Sequence, residues 1–277
     1  MRILPNGALR VTELITASFA GYFTFGFRDI PIRKGEQIDQ IAVRDEALGE
    51  DPVQYTGGGS TTKAPNLTPN QFGVKATTAR VSIVWHFPPR TGIHTYVLSY
   101  RFRGLTKVYS DVADVNLKVW GDQWAAPLRE LDASMALPKP TGLFNNYRVW
   151  GHPQWVKGVV TRTKTGTRLR AVSVPAHQFV ELRTVFPRKL LTSTSGATVM
   201  QGPGLAKIDH EETSSAAAYE RDQGRIDRWK RHIGEAALIV AAVGFVAAIL
   251  LALGVWAIFG RERRTGYDRE YEQEPPT

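Results

Sequence analysis

The sequence predicts a mainly β protein: an antiparallel β-sandwich ectodomain, followed by a helical stalk and a single transmembrane helix. Three observations carry this reading. Short stretches rich in Val, Ile, Tyr and Thr recur through residues 1–190, separated by Gly, Pro, Asn and Asp, with no amphipathic helix among them. Residues 190–215 then lose that periodicity. Finally, Ala236 to Phe259 run for 24 residues without a charge, as AALIVAAVGFVAAILLALGVWAIF. At about 1.5 Å per residue this run covers roughly 36 Å, enough to cross a hydrocarbon core of about 30 Å. A helix satisfies its own backbone in lipid.

The elements follow in order. Strands are expected near 9–16, 37–44, 79–86, 93–102, 112–120, 129–137, 156–164, 167–174 and 179–186. The clearest is 93–102, IHTYVLSYRF, where His94, Tyr96, Leu98, Tyr100 and Phe102 share one face. Residues 51–73, with three successive glycines, read as a long mobile polar loop. The 191–212 segment reads as a linker. Thr213, Ser214 and Ser215 then offer caps for a juxtamembrane helix over 213–235 that runs into the span at 236–259. The charged tail, 260–277, ends in Pro-Pro and reads as disordered.

Charge and composition narrow the function classes. Residues 1–190 hold 25 Lys+Arg against 14 Asp+Glu, an excess of 11 positive charges. A basic domain on a membrane anchor points to an anionic envelope polymer, anionic lipid or another membrane protein as partner, besides the bilayer itself. No nucleic-acid motif appears, so nucleic acid is not expected. Cysteine is absent, which excludes disulfides, thiolate metal sites and a cysteine nucleophile. MRILPNGALRVTELIT contains no apolar core with a small-residue cleavage site. The domain is therefore expected to be cytoplasmic, or an export signal to lie upstream of Met1.

Candidate chemistry is sparse. Asp111, Asp114 and Asp122 could offer oxygen to calcium but lack EF-hand spacing and its glycine turn. Asp29 reads as a structural partner of Arg28 or Arg33. His86, His94, His152 and His177 show no HExxH spacing, there is no GxSxG elbow, and Gly57–Gly59 lacks the Lys-Ser/Thr of a phosphate loop. No catalytic residue, metal or cofactor is expected. Trp120, Trp124, Trp150 and Trp155 fall near strand ends and, if exposed at one rim, could stack on sugar rings. Residues 157–170, KGVVTRTKTGTRLR, read as a hairpin turning at Lys164–Gly166. Pairing 164 with 168 would align Arg162, Lys164, Arg168 and Arg170 as a cationic stripe, whereas pairing 164 with 167 would split them between faces.

Five segments together resemble a known group: Ala8–Thr16 (ALRVTELIT), Gly26–Arg33 (GFRDIPIR), Tyr96–Pro127 (YVLSYRFRGLTKVYSDVADVNLKVWGDQWAAP), Val149–His152 (VWGH) and Phe179–Pro187 (FVELRTVFP). In order and spacing they are similar to the N-terminal domain of YciQ-type predicted membrane proteins, the family called domain of unknown function 2207. The resemblance implies an extracytoplasmic β-rich domain behind a signal peptide, a first transmembrane helix, further spans and a cytoplasmic tail. It brings no catalytic residues with it. The expectation is a single-pass membrane protein of the bacterial envelope, domain outside and tail inside, with a non-enzymatic binding role. The alternative is a cell-envelope hydrolase or carbohydrate-binding module.

Overall fold

The computed structural model describes residues 1–46, 53–60, 68–140, 147–154, 156 and 158–260. The first strands are Arg2–Ile3 (β1), Leu9–Pro31 (β2), Gln37–Glu46 (β3), Val53–Gln54 (β4), Thr56–Ser60 (β5), Gln71–Ala76 (β6) and Arg80–Arg103 (β7). Next come Lys107–Val108 (β8), Val112–Trp120 (β9), Leu128–Ala136 (β10), Arg148–His152 (β11), Gly158–Arg162 (β12), Gly166–Val174 (β13), Val180–Pro187 (β14) and Thr198–Val199 (β15). One helix, Leu205–Phe259 (α1), closes the described chain. The chain divides into two units, Met1–Thr213 and Ser214–Thr277.

The first unit is a two-sheet sandwich. One sheet runs β12-β13-β10-β1-β2-β7-β3-β4, with β6 also on β7 and β5 on β6; the other runs β11-β14-β9-β8-β15. Among the described residues the pairings are antiparallel apart from three short ones, β1 with β10, β5 with β6 and β8 with β15. Alternating side chains from the two inner faces make the core: Leu9, Leu98, Tyr100 and Leu169 from the larger sheet meet Val115, Leu117, Leu182 and Phe186 from the smaller. Each such side chain, fully buried, stabilises the fold by about 1.5–3 kcal/mol. One pair of buried hydroxyls meets across the sandwich, where Thr167 Oγ1 lies 3.1 Å from Thr184 Oγ1.

β2 and β7 are longer than the sequence predicts. The expected strands at 79–86 and 93–102 are one strand, Arg80–Arg103, and the strand beginning near residue 9 continues to Pro31. The two pair along their whole length, with register irregularities between Phe19 and Phe23 and between Phe23 and Phe25. Across this irregular middle the buried set changes parity. Leu9 and Val11 are buried in one half of β2, Arg28 and Ile30 in the other; β7 buries Val81, Ile83, Trp85 and Phe87, then Tyr96, Leu98, Tyr100 and Phe102. A period of two cannot be followed across such a break. Tyr22, Phe23, Phe25 and Phe27 are left on the surface.

Two further expectations change. Residues 51–73 are not simply a loop: β4, β5 and β6 lie within or across them, and Tyr55 is buried, though 51–52 and 61–67 fall outside the described residues. The 191–212 segment is not a free linker. Thr192 N donates to Pro5 O (2.8 Å), Gly196 N to Asn6 O (2.9 Å) and Thr198 N to Thr106 O (2.8 Å), and the helix already begins at Leu205 rather than 213. Its backbone, not a side-chain pattern, does the pairing, so no periodicity announces it. Within α1, His232–Phe259 is long and apolar enough to cross a membrane. The 260–277 tail lies outside the described residues from 261 onward.

The β2–β7 contact yields a test. Gly26 stands opposite Trp85, and a Cβ on Gly26 would sit 2.5 Å from the indole Cζ2 of that buried ring. Gly26→Ala is expected to destabilise the domain by about 1–3 kcal/mol through overpacking. A lower urea midpoint for tryptophan fluorescence of the full chain in detergent would confirm it; an unchanged midpoint would contradict it.

Candidate functional site

A cleft of about 470 Å³ opens between β2 and β10, where the two strands part beyond the short β1. Val11–Thr16 line one wall and Glu130–Ser134 the other, with Leu117, Val119 and Trp120 of the opposite sheet as floor. Concave, mostly apolar spaces with a few placed polar groups are where proteins bind ligands.

The polar groups of this cleft are mostly committed. Glu13 accepts from Arg28 Nε at 2.9 Å and Nη2 at 3.3 Å, and from the Tyr100 hydroxyl at 2.7 Å. Arg28 also donates to the Asp29 carbonyl at 2.9 Å. Burial by itself would lower the Arg28 pKa, but the Glu13 carboxylate beside it outweighs burial and raises it. Burial, and then Glu13, push Tyr100 well above the usual phenol range. Glu130 is held by Arg170, and Asp132 by Arg168. One group is left over. Trp120 Nε1 is buried and has no hydrogen-bond partner among the described residues.

The expected tryptophan rim is not assembled. Trp120 and Trp124 stack at 4.5 Å and 7° on one another, with the Arg28 guanidinium 6.0 Å from the Trp124 ring. Trp150 packs elsewhere, against a small cluster of Tyr109, Val112, Val185 and Ile208. Trp155 lies outside the described residues.

The basic hairpin adopts neither expected register. Arg162 pairs with Thr167, Thr161 with Arg168 and Val159 with Arg170, so the turn is made by Lys164 and Thr165. Tyr147 fixes that turn: Thr163 N donates to its hydroxyl at 2.9 Å, and the hydroxyl lies 2.6 Å from Thr163 O and 2.5 Å from Gly166 O. Arg168 and Arg170 share one face, where Asp132 and Glu130 on β10 meet them. Arg162 is on the other and donates to Tyr147 O at 3.2 Å. No single cationic stripe forms, because register sets the face and the neighbouring strand supplies the counter-charges.

The histidines and aspartates are likewise occupied separately. Asp111 accepts from Gly204 N at 2.7 Å and Leu205 N at 3.1 Å, capping α1 from across the fold in place of Thr213–Ser215. Asp122 lies 3.7 Å from Lys118, and Asp29 pairs with Arg80 rather than with Arg28 or Arg33 side chains. His86 stacks on Phe25, His94 Nε2 lies 3.1 Å from Thr91 O, and His177 Nδ1 lies 3.2 Å from Asp122 O. Among the described residues no group of three or more His, Asp or Glu could hold a metal.

A charged clasp that the sequence does not announce joins the smaller sheet to the first turns of α1. Arg183 on β14 donates to Asp114 on β9 at 2.7 and 3.0 Å and to Glu212 on the helix at 2.7 Å. His152 Nε2 lies 3.0 Å from Glu212, Arg148 lies 3.0 Å from Asp209, and Ile208 is buried beside them. The hydrogen bond to Glu212 raises the His152 pKa against burial. Burial would raise the Glu212 pKa, but His152 and Arg183 lower it below its ordinary value of 4.5.

Two outcomes are expected. Arg183→Met strands Asp114 and Glu212, whose side chains are 4% and 6% exposed, and should destabilise the fold by about 3–5 kcal/mol, read as a shift in the urea midpoint. The clasp should also depend on pH. The His152 contribution is complete below 6.5 and is lost as pH rises through its raised folded value; that of Glu212 is complete above 4.5 and is lost as pH falls through its lowered one. Stability should therefore hold between pH 4.5 and 6.5 and fall on the alkaline side. His152→Gln should remove that alkaline limb from a pH series of thermal melts.

No curated protein and no solved structure matches this chain. The model of the predicted membrane protein (DUF2207) N-terminal domain matches residues 1–186. With a β sandwich over that range and an apolar helix behind it, the chain belongs to the DUF2207 family of predicted membrane proteins.

Proposed function

We propose that this membrane protein is a non-catalytic binding protein of the cell envelope, its β domain facing outward and its C-terminal tail inward. The observation that carries the reading is the cleft between β2 and β10. It is open and lined by both apolar and polar residues, and its carboxylates at Glu13, Glu130 and Asp132 are each held by an arginine. A general acid or base must exchange a proton with its substrate. Carboxylates fixed in this way serve architecture, while the cleft between them offers contact area. The aromatic row of Phe23, Phe25 and Phe27, between 44% and 51% exposed, supports the same reading, since contiguous exposed apolar residues mark contact surfaces. The carbohydrate alternative is disfavoured by the stacking of Trp120 on Trp124, which uses faces that a sugar would need.

Because the chain has no cysteine, orientation is testable with single additions. Lys34→Cys, in an exposed turn, should react with a membrane-impermeant maleimide in intact cells. Thr265→Cys in the tail should react only after permeabilisation. The reverse pattern would overturn the outward placement.

A further inference from the structure

We infer that the outer face of the smaller sheet carries a second binding site, and that its ligand is a free α-amino acid held by both of its charges. The site is separate from the cleft and goes beyond the role read from it. A pocket of about 260 Å³ opens beside the clasp, among β8, β9, β14, the start of α1 and the turn that joins β2 to β3. The residues that line it all fall between Arg33 and Glu211.

Opposite charges stand on opposite sides of this pocket. β9 runs between β8 and β14 and supplies the floor with Asp114 and Asn116. On the β8 side stands Lys107, the strand partner of Asp114, so the two side chains share a face. Arg33 joins it there, because its turn packs on Gly104, where a Cβ would come within 2.5 Å of Gly35 O. On the β14 side stands Glu211 of α1, 3.4 Å from Arg183 and 47% exposed. The two strands that flank β9 stand roughly 10 Å apart, so a small molecule over β9 can touch long side chains from both.

Some of these groups are occupied and some are not. Arg183 is occupied: Nε and Nη2 donate to the two oxygens of Asp114, and Nη1 donates to Glu212. Lys107 meets no carboxylate among the described residues, and Asn116 Oδ1 is buried without a donor. A buried acceptor left without a donor is costly, and a ligand N–H removes that cost. The ligand class follows by elimination. A plain anion would suit Lys107 and Arg33 but face Asp114 and Glu211 and leave Asn116 Oδ1 unmet. A plain cation would suit Glu211 and Asn116 but face the basic side chains of Arg33 and Lys107. A molecule with a carboxylate and an ammonium on one carbon meets both sides: its carboxylate accepts from Lys107 and Arg33, and its ammonium donates to Asn116 Oδ1 and Glu211. Leu105 adds an apolar wall for a small side chain.

The test titrates the full chain in nanodiscs with alanine, propionate, ethylamine and alanyl-alanine. Alanine should bind by isothermal titration calorimetry and, at roughly ten times its Kd, raise the melting temperature by about 3 °C. Propionate lacks the ammonium, ethylamine lacks the carboxylate, and alanyl-alanine carries its two charges on different residues. Each should bind roughly tenfold more weakly than alanine, or less. Lys107→Met and Asn116→Leu leave the bonds of the clasp in place. Each should weaken alanine by roughly tenfold, with the ligand-free melting temperature unchanged. A chain that does not bind alanine would overturn the site. Equal binding of propionate or ethylamine would reduce it to a site for one charge, and equal binding of alanyl-alanine would assign it to peptide ends; either overturns the free amino acid. Unchanged alanine affinity in both variants would place the ligand elsewhere and overturn the pocket. The four probes are compared on the unaltered chain, so they decide the matter even where a variant melts early. None of these results bears on the cleft or on orientation, so the pocket can fail while the labelling experiment upholds the outward-facing domain.

Discussion

The pairing of β2 with β7 is the constraint on which the rest of the domain depends. β1 docks on the outer edge of β2; β3 and β6 divide the outer edge of β7 between them. Two strands of this length paired throughout must twist, and a continuous regular ladder would keep one set of side chains on one face. The irregular middle releases that restriction, so each half can bury a different parity. The exposed aromatic row is the counterpart of that exchange: Phe25 and Phe27 are odd-numbered and exposed in the half of β2 whose even-numbered Arg28 and Ile30 are buried.

Charge in this domain is organised as pairs more than as surface potential. Its excess of positive residues suggests a broad cationic face, yet the arginines nearest the core are bound to carboxylates: Arg28 to Glu13, Arg90 to Asp45, Arg183 to Asp114 and Glu212. A buried pair contributes little net stability, because desolvation offsets much of the attraction, but removing one partner leaves an uncompensated charge. Such pairs therefore fix geometry. Arg183 draws β9, β14 and the start of α1 to one point, and Arg28 draws together the two halves of β2 and the Trp120–Trp124 stack.

The cleft and the clasp lie on different sheets. The cleft opens beside β1 in the larger sheet, and the clasp joins the smaller sheet to the start of α1 through side chains. The family relationship covers the strands that build both features, from β1 to β14.

The class of structure was legible in the residues alone. Residues 112 to 120 and 167 to 174 read as strands almost to the residue: in β13 the buried Leu169 and Ala171 alternate with exposed Arg168 and Arg170, while β9 is buried on both faces from Val112 to Val115. The apolar run before Phe259 marks the candidate membrane span by length and charge alone. Tertiary structure decided the rest. β11 and β15 are short and show little alternation, Asp111 caps a helix that starts 94 residues later, and the hairpin register follows from Tyr147 and from the strand beside it. Glu13, Arg28 and Tyr100 look like ordinary strand residues until the fold brings them within hydrogen-bond distance. Local periodicity reports which side of a strand is buried. It carries no information about which distant strand lies alongside.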